Sequence, residues 1–311
     1  MTLDLAPLDA VIREMPRFTP FARTLGLEIR DLTKGCASIA LPPDIRWTGD
    51  SDSALLHSGS LTALADQACG VAVMSSMKAL EGLATLDLRM DYLRPARAEH
   101  EVVCRAQCHR LARSVAFVRG ELHQAGEREP VATVNAAFMR STPQGPRPQT
   151  EPGAGAHAAE DQGSAGPSAV PADAASLQVP PGRSPYVEFL GVARAGARDG
   201  APVFVLPYRP ELIGNPLLPA LHGGAVAGFA ETAAVLHLLT GAAAPATAPP
   251  RGIDFSIDFL RSAGPADVLA SCTTVRLGRR VALVHVVLWQ DDARRPIASA
   301  RAHLLMAAAA G

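Results

Sequence analysis

The chain has few aromatic residues, few charges and no excess of either sign. Of its 311 residues, 5% are aromatic and 19% are charged, with 29 Lys and Arg against 30 Asp and Glu. Binding to duplex nucleic acid usually requires a basic excess, so no nucleic-acid partner is expected. Hydrophobic residues nevertheless make up 48% of the chain. At this length they can build the cores of about two domains.

Cysteine is scarce and is not arranged as a disulfide framework or a metal site. The five cysteines are an odd number, and none forms a Cys-x-x-Cys pair. Cys104 and Cys108 are four positions apart but have no second pair to complete a zinc site. We therefore expect reduced thiols, a cytoplasmic protein, and neither a bound metal nor another cofactor.

No segment is typical of a membrane span or of a signal peptide. The most apolar stretch, Gly223 to Ala244, contains Glu231 and His237, whereas a span needs about 20 apolar residues with few or no charges. Met1 to Arg13 carries two aspartates and lacks a basic region followed by an apolar one. Neither a membrane partner nor a signal peptide is expected.

The sequence contains an internal repeat. When the chain is shifted by 165 positions, identical or similar residues align without a gap. The aligned pairs include Gly26 with Gly191, Pro42 with Pro207, His57 with His222, and Asp66 with Glu231. Farther along, Asp91 to Arg94 aligns with Asp258 to Arg261 at an offset of 167. Two copies of this size indicate duplicated domains rather than a solenoid.

The two copies are separated by a change in composition. Residues 142–183 are rich in Pro, Gly, Ala and Ser and contain almost no large apolar side chain. Such a segment cannot bury enough surface to offset the entropy lost in ordering it, so we predict a flexible linker. The expected domains are residues 1–141 and 184–311.

Each copy combines one long apolar helix with alternating strands. Gly59 to Met77 and Gly224 to Leu239 are small or apolar all round, which predicts helices buried on most sides. Period-two alternation over residues 86–92 and 253–259 predicts strands, with three more following in each copy. One or two strands precede each helix, and a short N-terminal helix is expected over Leu5 to Arg13. Strands that pack on a central helix make an α+β fold.

Each long helix carries one isolated acid. Asp66 is the only charged residue from Ser58 to Met77, and no neighbour on its helix is basic. Glu231 has the same status in copy two. A buried carboxylate without a partner is costly, and its pKa rises. Such an acid either caps a neighbouring loop or acts as a base or nucleophile, and its presence in both copies favours the second.

The helix starts are a second candidate feature. Residues 222–224 are His-Gly-Gly and residues 57–59 are His-Ser-Gly. The free N–H groups of a first turn can bind an anion or a polarised carbonyl oxygen, and glycine lets a ligand approach the backbone. The alternative is ordinary helix-start geometry, with His57 as a packed core residue.

Together these features resemble the hotdog-fold acyl-CoA thioesterases of the phenylacetate-degradation (PaaI-like) group. The resemblance rests on the His-Gly-Gly helix start, an acid nine residues after the His, and a strand that ends Asp-Tyr-Leu-Arg-Pro. In that family a curved antiparallel sheet wraps round a central helix, and two such units pair. The resemblance covers both copies and implies a tandem form, in which one chain makes that pair within itself.

The resemblance implies two composite active sites. Site one would combine Asn215, His222 and Gly223 of copy two with Asp66 and Thr85 of copy one. By the family's pattern, the Gly223 N–H and Asn215 would polarise the thioester carbonyl. Asp66, helped by Thr85, would be the base or the nucleophile.

Site two would combine Asp50, His57 and Ser58 of copy one with Glu231 and Gly252 of copy two. Asp50 replaces an amide donor with a carboxylate that only accepts, which would repel a developing oxyanion. Glu231 is one methylene longer than Asp, and Gly252 offers no hydroxyl. The sequence therefore predicts that site two is impaired.

Three arginines are candidates for binding coenzyme A. Arg113, Arg279 and Arg280 are expected at strand ends or turns, where arginines are usually only solvated. The resemblance implies a second role, in which their planar guanidinium groups bind the phosphates of coenzyme A.

The leading expectation is a thioester hydrolase that converts acyl-CoA to free acid and coenzyme A. One alternative is a non-catalytic module that binds or senses acyl-CoA. A less favoured alternative is a hotdog enoyl-CoA hydratase, because those enzymes place the acid before the histidine and here the histidine comes first. Paired hotdog units often pair again, so a homodimer of the chain, a dimer of pseudo-dimers, is expected.

Overall fold

A computed structural model describes residues 8–50, 52–141, 184–198, 200–215, 219–241 and 248–306. The predicted linker, residues 142–183, lies outside the described residues, as does the beginning of the helix predicted over Leu5 to Arg13. The described helix runs from Leu8 to Phe18, farther along the chain than predicted. Its Ile12 is fully buried and it packs on the next helix and strand. It ends at Phe18 because Thr19, the residue before Pro20, is extended, with φ −86° and ψ 107°.

The described residues form two sets of elements in the same order. Copy one contains α1 (Leu8–Phe18), α2 (Pro20–Leu25), β1 (Glu28–Thr33), β2 (Cys36–Leu41), β3 (Thr48–Asp50), β4 (Leu55–Leu56), α3 (Ser58–Ser76), β5 (Gly82–Tyr92), β6 (Val102–Leu111), β7 (Val115–Gln124) and β8 (Ala132–Ser141). Copy two contains α4 (Pro185–Leu190), β9 (Ala193–Arg198), β10 (Ala201–Leu206), β11 (Ile213–Asn215), β12 (Ala220–Leu221), α5 (Gly223–Gly241), β13 (Arg251–Phe259), β14 (Val268–Leu277), β15 (Val281–Trp289) and β16 (Ala298–Leu305). The predicted α+β class is confirmed, with α3 and α5 as the two long apolar helices.

Twelve strands form one continuous antiparallel sheet. Their order is β1-β2-β6-β7-β8-β5-β13-β16-β15-β14-β10-β9. The two copies join where β5 pairs with β13, from Asp87 opposite Asp258 to Asp91 opposite Asp254. Strands β3–β4 and β11–β12 form two small hairpins that lead into α3 and α5. The chain thus makes the predicted pair of hotdog units within itself.

The long helices α3 and α5 pack side by side, with the start of each against the other. A Cβ added at Gly224 would lie 2.7 Å from the Cα of Ala63, and one added at Gly59 would lie 2.9 Å from the Cα of Gly228. Real Cβ atoms do not approach this closely, so both helix starts need glycine. This close approach brings the start of each helix beside the acid of the other.

Helix α5 is long and apolar enough to cross a membrane by length and composition alone. In this structure 72% of its most apolar stretch is buried. It packs on α3 and on strands of copy two. Its apolar character is accounted for by this position in the core.

Candidate active sites

Asp66 lies at the boundary between the two copies and is bonded to both. The Gly224 N–H of α5 donates to its Oδ2 at 2.7 Å, and the Thr85 hydroxyl of β5 donates to its Oδ1 at 2.9 Å. The side chain is only 5% exposed. These two bonds hold the carboxyl group in one orientation at the start of α5, where unpaired N–H groups stabilise negative charge.

His222 precedes α5 and is oriented by a residue of the other copy. Its Nδ1 accepts the Gly224 N–H at 3.0 Å, and its Nε2 lies 2.8 Å from Gln67 Oε1. The same Nδ1 lies 3.2 Å from Asp66 Oδ2, so the ring also contacts the acid of site one. The sequence reasoning missed Gln67. The available signal was a second polar side chain directly after Asp66 on an otherwise apolar helix.

Gly223, a donor predicted for site one, lies directly against the acid of that site. It is the first residue of α5, so its N–H lies outside the intrahelical hydrogen bonds. A Cβ added there would lie 2.8 Å from Asp66 Oδ2 and 3.2 Å from Thr85 Oγ1. Any larger residue there would press on the carboxyl group, so the close approach of the start of α5 to Asp66 needs glycine. Asn215 lies in the hairpin before the helix, where it pairs with Ala220.

Glu231 occupies the matching place in site two but has different partners. The Thr62 hydroxyl donates to its Oε1 at 2.6 Å, and the Tyr92 hydroxyl lies 2.9 Å from both Oε1 and Oε2. Burial raises the pKa of Glu231 to about 7, although hydrogen bonds from Ser58, Thr62 and Tyr92 act in the opposite direction. A large fraction of Glu231 is therefore uncharged at neutral pH.

The backbone N–H of Gly59, which matches Gly224, is not bonded to the acid of site two, whereas the Ser58 side chain is. The Gly59 N–H donates to His57 Nδ1 at 2.9 Å, and in the described part of the chain it makes no bond to Glu231. The His57 ring stacks on Tyr186 with centroids 4.7 Å apart, and burial lowers its pKa to about 4. His57 is thus a packed, neutral histidine, the alternative that the sequence had left open. Ser58 stands where site one has glycine.

The hydroxyl that supports the acid comes from a different position in each site. In site one it is Thr85, whereas the matching residue of site two is Gly252 and Tyr92 supplies the hydroxyl. A Cβ added at Gly252 would lie 2.9 Å from Tyr92 Cδ2, so glycine makes room for the ring. The sequence reasoning missed this replacement. The available signal was the alignment of Tyr92 with Phe259, which has no hydroxyl.

A cavity of about 570 Å³ lies beside site two. Most of its lining is apolar, and it includes Asp50, His57 and Ser58, three of the residues predicted for that site. Tyr92 and Gly252 also line it. The residues predicted for site two therefore border a space large enough for a small-molecule ligand.

The wall of this cavity differs from the matching wall of site one. There, Glu81 and Arg140 form an ion pair with an N–O distance of 2.8 Å and side chains only 14% and 13% exposed. Glu81 matches Ala248 at an offset of 167, and Arg140 matches Met306 at an offset of 166, where the bonds Arg140 N–H to Ser114 and Met306 N–H to Arg280 are equivalent. Both Ala248 and Met306 line the cavity. The wall at site two is therefore uncharged where site one has paired charges.

The three candidate arginines divide between the two sites. Arg113 lies in the turn between β6 and β7, where the next carbonyl accepts the Arg140 N–H at 2.8 Å. Arg279 and Arg280 lie in the turn between β14 and β15, and the Arg280 carbonyl accepts the Met306 N–H at 2.9 Å. All three side chains are exposed. Arg113 is thus on the side of site one, and the other two are on the side of site two.

Two family models match the chain, one in each copy. The thioesterase superfamily matches residues 54–131, and the acyl-CoA thioesterase N-terminal domain matches residues 215–305. Each match includes the long helix of its copy and strands that follow it. Each also includes the acid of one site and the whole helix start of the other.

Similar proteins include the medium/long-chain acyl-CoA thioesterase YigI of Escherichia coli K12, which is 30% identical over 133 residues, 39% of this chain and 84% of that protein. A hot dog fold protein of Alicyclobacillus acidocaldarius has a TM-score of 0.58 at 18% identity and covers 88% of this chain and 94% of its own. The acyl-CoA thioesterase II TesB2 of Mycobacterium marinum has a TM-score of 0.59 at 15% identity and covers 91% of this chain and 97% of its own. Both structures share the fold across the two copies. The chain therefore belongs to the thioesterase superfamily of hotdog-fold proteins.

Proposed function

We propose that this chain hydrolyses acyl-CoA thioesters at site one. The observation that carries the proposal is the position of Asp66, which is bonded to Gly224 of one copy and Thr85 of the other. It lies beside a helix start whose first N–H is outside the helical hydrogen bonds. The names of the E. coli relative and of the matching families support thioester hydrolysis with acyl-CoA as the substrate.

In the proposed reaction the thioester carbonyl oxygen accepts the Gly223 N–H and an Asn215 amide N–H. These donors stabilise the negative charge that develops on the oxygen. Asp66 either attacks the carbonyl carbon or takes a proton from the attacking water. If Asp66 attacks, the C–S bond breaks as a mixed anhydride forms between Asp66 and the acyl group, and water then hydrolyses the anhydride to release the free acid and restore Asp66. If water attacks, its oxygen joins the acyl carbon as the C–S bond breaks. In both routes the coenzyme A sulfur receives a proton.

Two further residues act by positioning. The Thr85 hydroxyl orients the Asp66 carboxyl group. Gln67 holds the His222 ring so that Nδ1 accepts the Gly224 N–H. Together they keep the helix start and the acid in register across the boundary between the copies.

We propose that site two does not hydrolyse thioesters. The Ser58 side chain occupies the place of Gly223, and Glu231 is bonded to hydroxyl groups instead of to a helix-start N–H. Asp50 replaces the amide donor Asn215 with a group that only accepts. The parts needed to stabilise an oxyanion and attack its carbon are therefore not combined there.

The remaining proposals concern the subgroup, the cellular compartment, the domain boundaries and the oligomeric state of the protein. We propose a PaaI-like, cytoplasmic protein with domains 1–141 and 184–311, joined by the linker and pairing into a dimer of pseudo-dimers. The five cysteines are free thiols, which supports a reducing compartment. Light scattering that gave the mass of a single 32.4 kDa chain would contradict the dimer.

The proposed function is tested with a panel of acyl-CoAs of different chain length and a reagent that detects free thiols. We expect thiol release by the wild-type chain and a large loss in Asp66→Asn purified in parallel. No release from any acyl-CoA, or equal release by both proteins, would overturn the proposal. The panel also establishes the preferred acyl group.

A further inference from the structure

The cavity beside site two has the size and lining expected for an aliphatic ligand. Its volume of about 570 Å³ falls in the range of roughly 300–1,000 Å³ typical of small-molecule sites. The walls include Leu61 from α3, Val235 and Leu236 from α5, and Ile253 and Leu305 from the sheet. Burying a hydrocarbon chain against these side chains is favourable because it removes apolar surface from water.

The two copies differ in the part of the wall that a hydrocarbon chain in the cavity would contact. The partly buried Glu81–Arg140 ion pair near site one is replaced by Ala248 and Met306, which remove both charges and leave apolar atoms. Methionine is flexible and adapts to irregular apolar ligands. The difference between the copies therefore favours an aliphatic ligand at site two.

The polar end of the cavity lacks the features of a cleaving site. Ser58 and Tyr92 line it, and both hydroxyls are hydrogen-bonded to Glu231. Glu231 is thus enclosed by donors and does not face the Gly59 N–H, which is bonded to His57. A ligand in the cavity meets the Ser58 and Tyr92 hydroxyls, and Glu231 itself does not line the cavity.

A cation at the cavity adds a contact for a charged head group. Arg251 lines the cavity, is exposed, and has no ion pair within the described residues. Arg94 also lines it but is paired with Glu127 at 2.6 Å. Arg251 is therefore available to bind a carboxylate or a phosphate.

We propose that site two is a second binding site, for a long aliphatic chain with an anionic head, and that it holds this ligand without cleaving it. The aliphatic chain of the ligand occupies the apolar cavity, and its anionic head lies at Arg251. A free fatty acid and an acyl-CoA both have this chemistry.

Isothermal titration calorimetry tests the proposal with two probes, dodecanoate below its micellar concentration and the thioether S-dodecyl-CoA. The proteins are the wild type and Ala248→Glu/Met306→Arg, which copies the charged wall of site one into site two. We expect the variant to lose one bound equivalent per chain. Loss of one of two S-dodecyl-CoA equivalents identifies acyl-CoA as the ligand, and loss of a dodecanoate equivalent identifies the fatty acid. Unchanged stoichiometry for both probes overturns the proposal.

A second variant and a control test whether the loss of binding is specific to the cavity. Val235→Trp fills the cavity without adding charge and should abolish the same equivalent, and thermal melting verifies that each variant is folded. Phe117→Ser, at a 40% exposed position outside the cavity lining, should keep the wild-type stoichiometry. If its stoichiometry also falls, the loss is not specific to the cavity and the proposal fails.

The absence of cleavage has its own test. Residual thiol release from dodecanoyl-CoA by Asp66→Asn should not decrease when Glu231→Gln is added. A decrease would show turnover at site two and overturn the proposal. Binding is counted without turnover, so an inactive wild type would refute the proposed function and leave this inference standing.

Discussion

The two acids of the repeat are held by opposite means. Asp66 accepts a backbone N–H from the helix start of the other copy, whereas Glu231 is enclosed by the hydroxyls of Thr62 and Tyr92. A helix start stabilises negative charge near an incoming carbonyl, whereas burial raises the pKa of Glu231 to about 7. The comparison indicates that one acid of a duplicated pair can bond to a helix-start N–H while the other is enclosed by hydroxyl groups.

The strongest test of this comparison is to remove each acid. Asp66→Asn keeps the shape of the side chain but removes the attacking group, so kcat should fall by roughly 10²–10⁴-fold, the usual contribution of a positioned general base. Substrate binding should persist. Glu231→Gln is the matched variant, and its kcat should stay close to wild type. Steady-state kinetics with one good acyl-CoA compares the two.

The reverse result would reverse the assignment of the sites. Similar losses in both variants would mean two working sites. A harmless Asp66→Asn together with an inactive Glu231→Gln would make site two the catalytic one.

The second test uses the pKa of Glu231. Because burial raises this pKa from 4.5 to about 7, the folded state binds more protons than the unfolded state between these values, and its stability falls as pH rises through them. The ionisation of Glu231 should therefore lower the free energy of unfolding of the wild type by about 2–3 kcal/mol between pH 5 and pH 8. Denaturant unfolding of the wild type and of Glu231→Gln at both pH values measures this change in the free energy of unfolding. A difference between the two proteins that does not change with pH would contradict the raised pKa.

The third test concerns the hydroxyl that bonds to each acid, which comes from Thr85 in site one and from Tyr92, packed on Gly252, in site two. In Gly252→Ala the new Cβ would lie 2.9 Å from the Tyr92 ring, which should destabilise the fold by about 1–3 kcal/mol as in other overpacked cores. Gly264→Ala is the matched control, because its nearest contact would be 4.0 Å. Thermal or denaturant unfolding separates the two. Equal stability of both variants would show that the ring does not need the glycine.

The smallest effect is expected for the arginines. Arg113→Ala should raise the KM for acyl-CoA by about 2- to 5-fold, the contribution of an exposed charge contact, and should spare a truncated pantetheine thioester. Arg279→Ala/Arg280→Ala lies on the side of site two and should have a smaller effect on this KM. A larger effect of the double variant would contradict the division of the arginines between the sites.

The fold was predictable because its signals are local and occur twice. The apolar runs that became α3 and α5 and the alternation that became β5 and β13 are periodic patterns within short segments. The matching positions of Asp66 and Glu231 could be read from the repeat. The end of α1 was predicted too early, although Thr19 and Pro20, which follow Phe18, are also a local stop signal.

The partners of the acids were less predictable. Gln67 and Thr62 looked like ordinary polar residues of an apolar helix until the structure placed them against His222 and Glu231. Gly252 looked like the simple loss of a hydroxyl. Its role became clear only from the Tyr92 ring, which fills the space that a side chain at 252 would need.

The sequence by itself determined that the chain contains two copies of one α+β unit, each with a long buried helix and one acid, because periodicity and repetition are properties of neighbouring residues. Only the tertiary structure decided which hydroxyl and which N–H reach each acid. Glu231 is 139 residues from Tyr92 and 169 from Thr62 along the chain. Contacts across such separations depend on how the helices cross and on which glycines let them approach, and these are set by the packing of the whole pair.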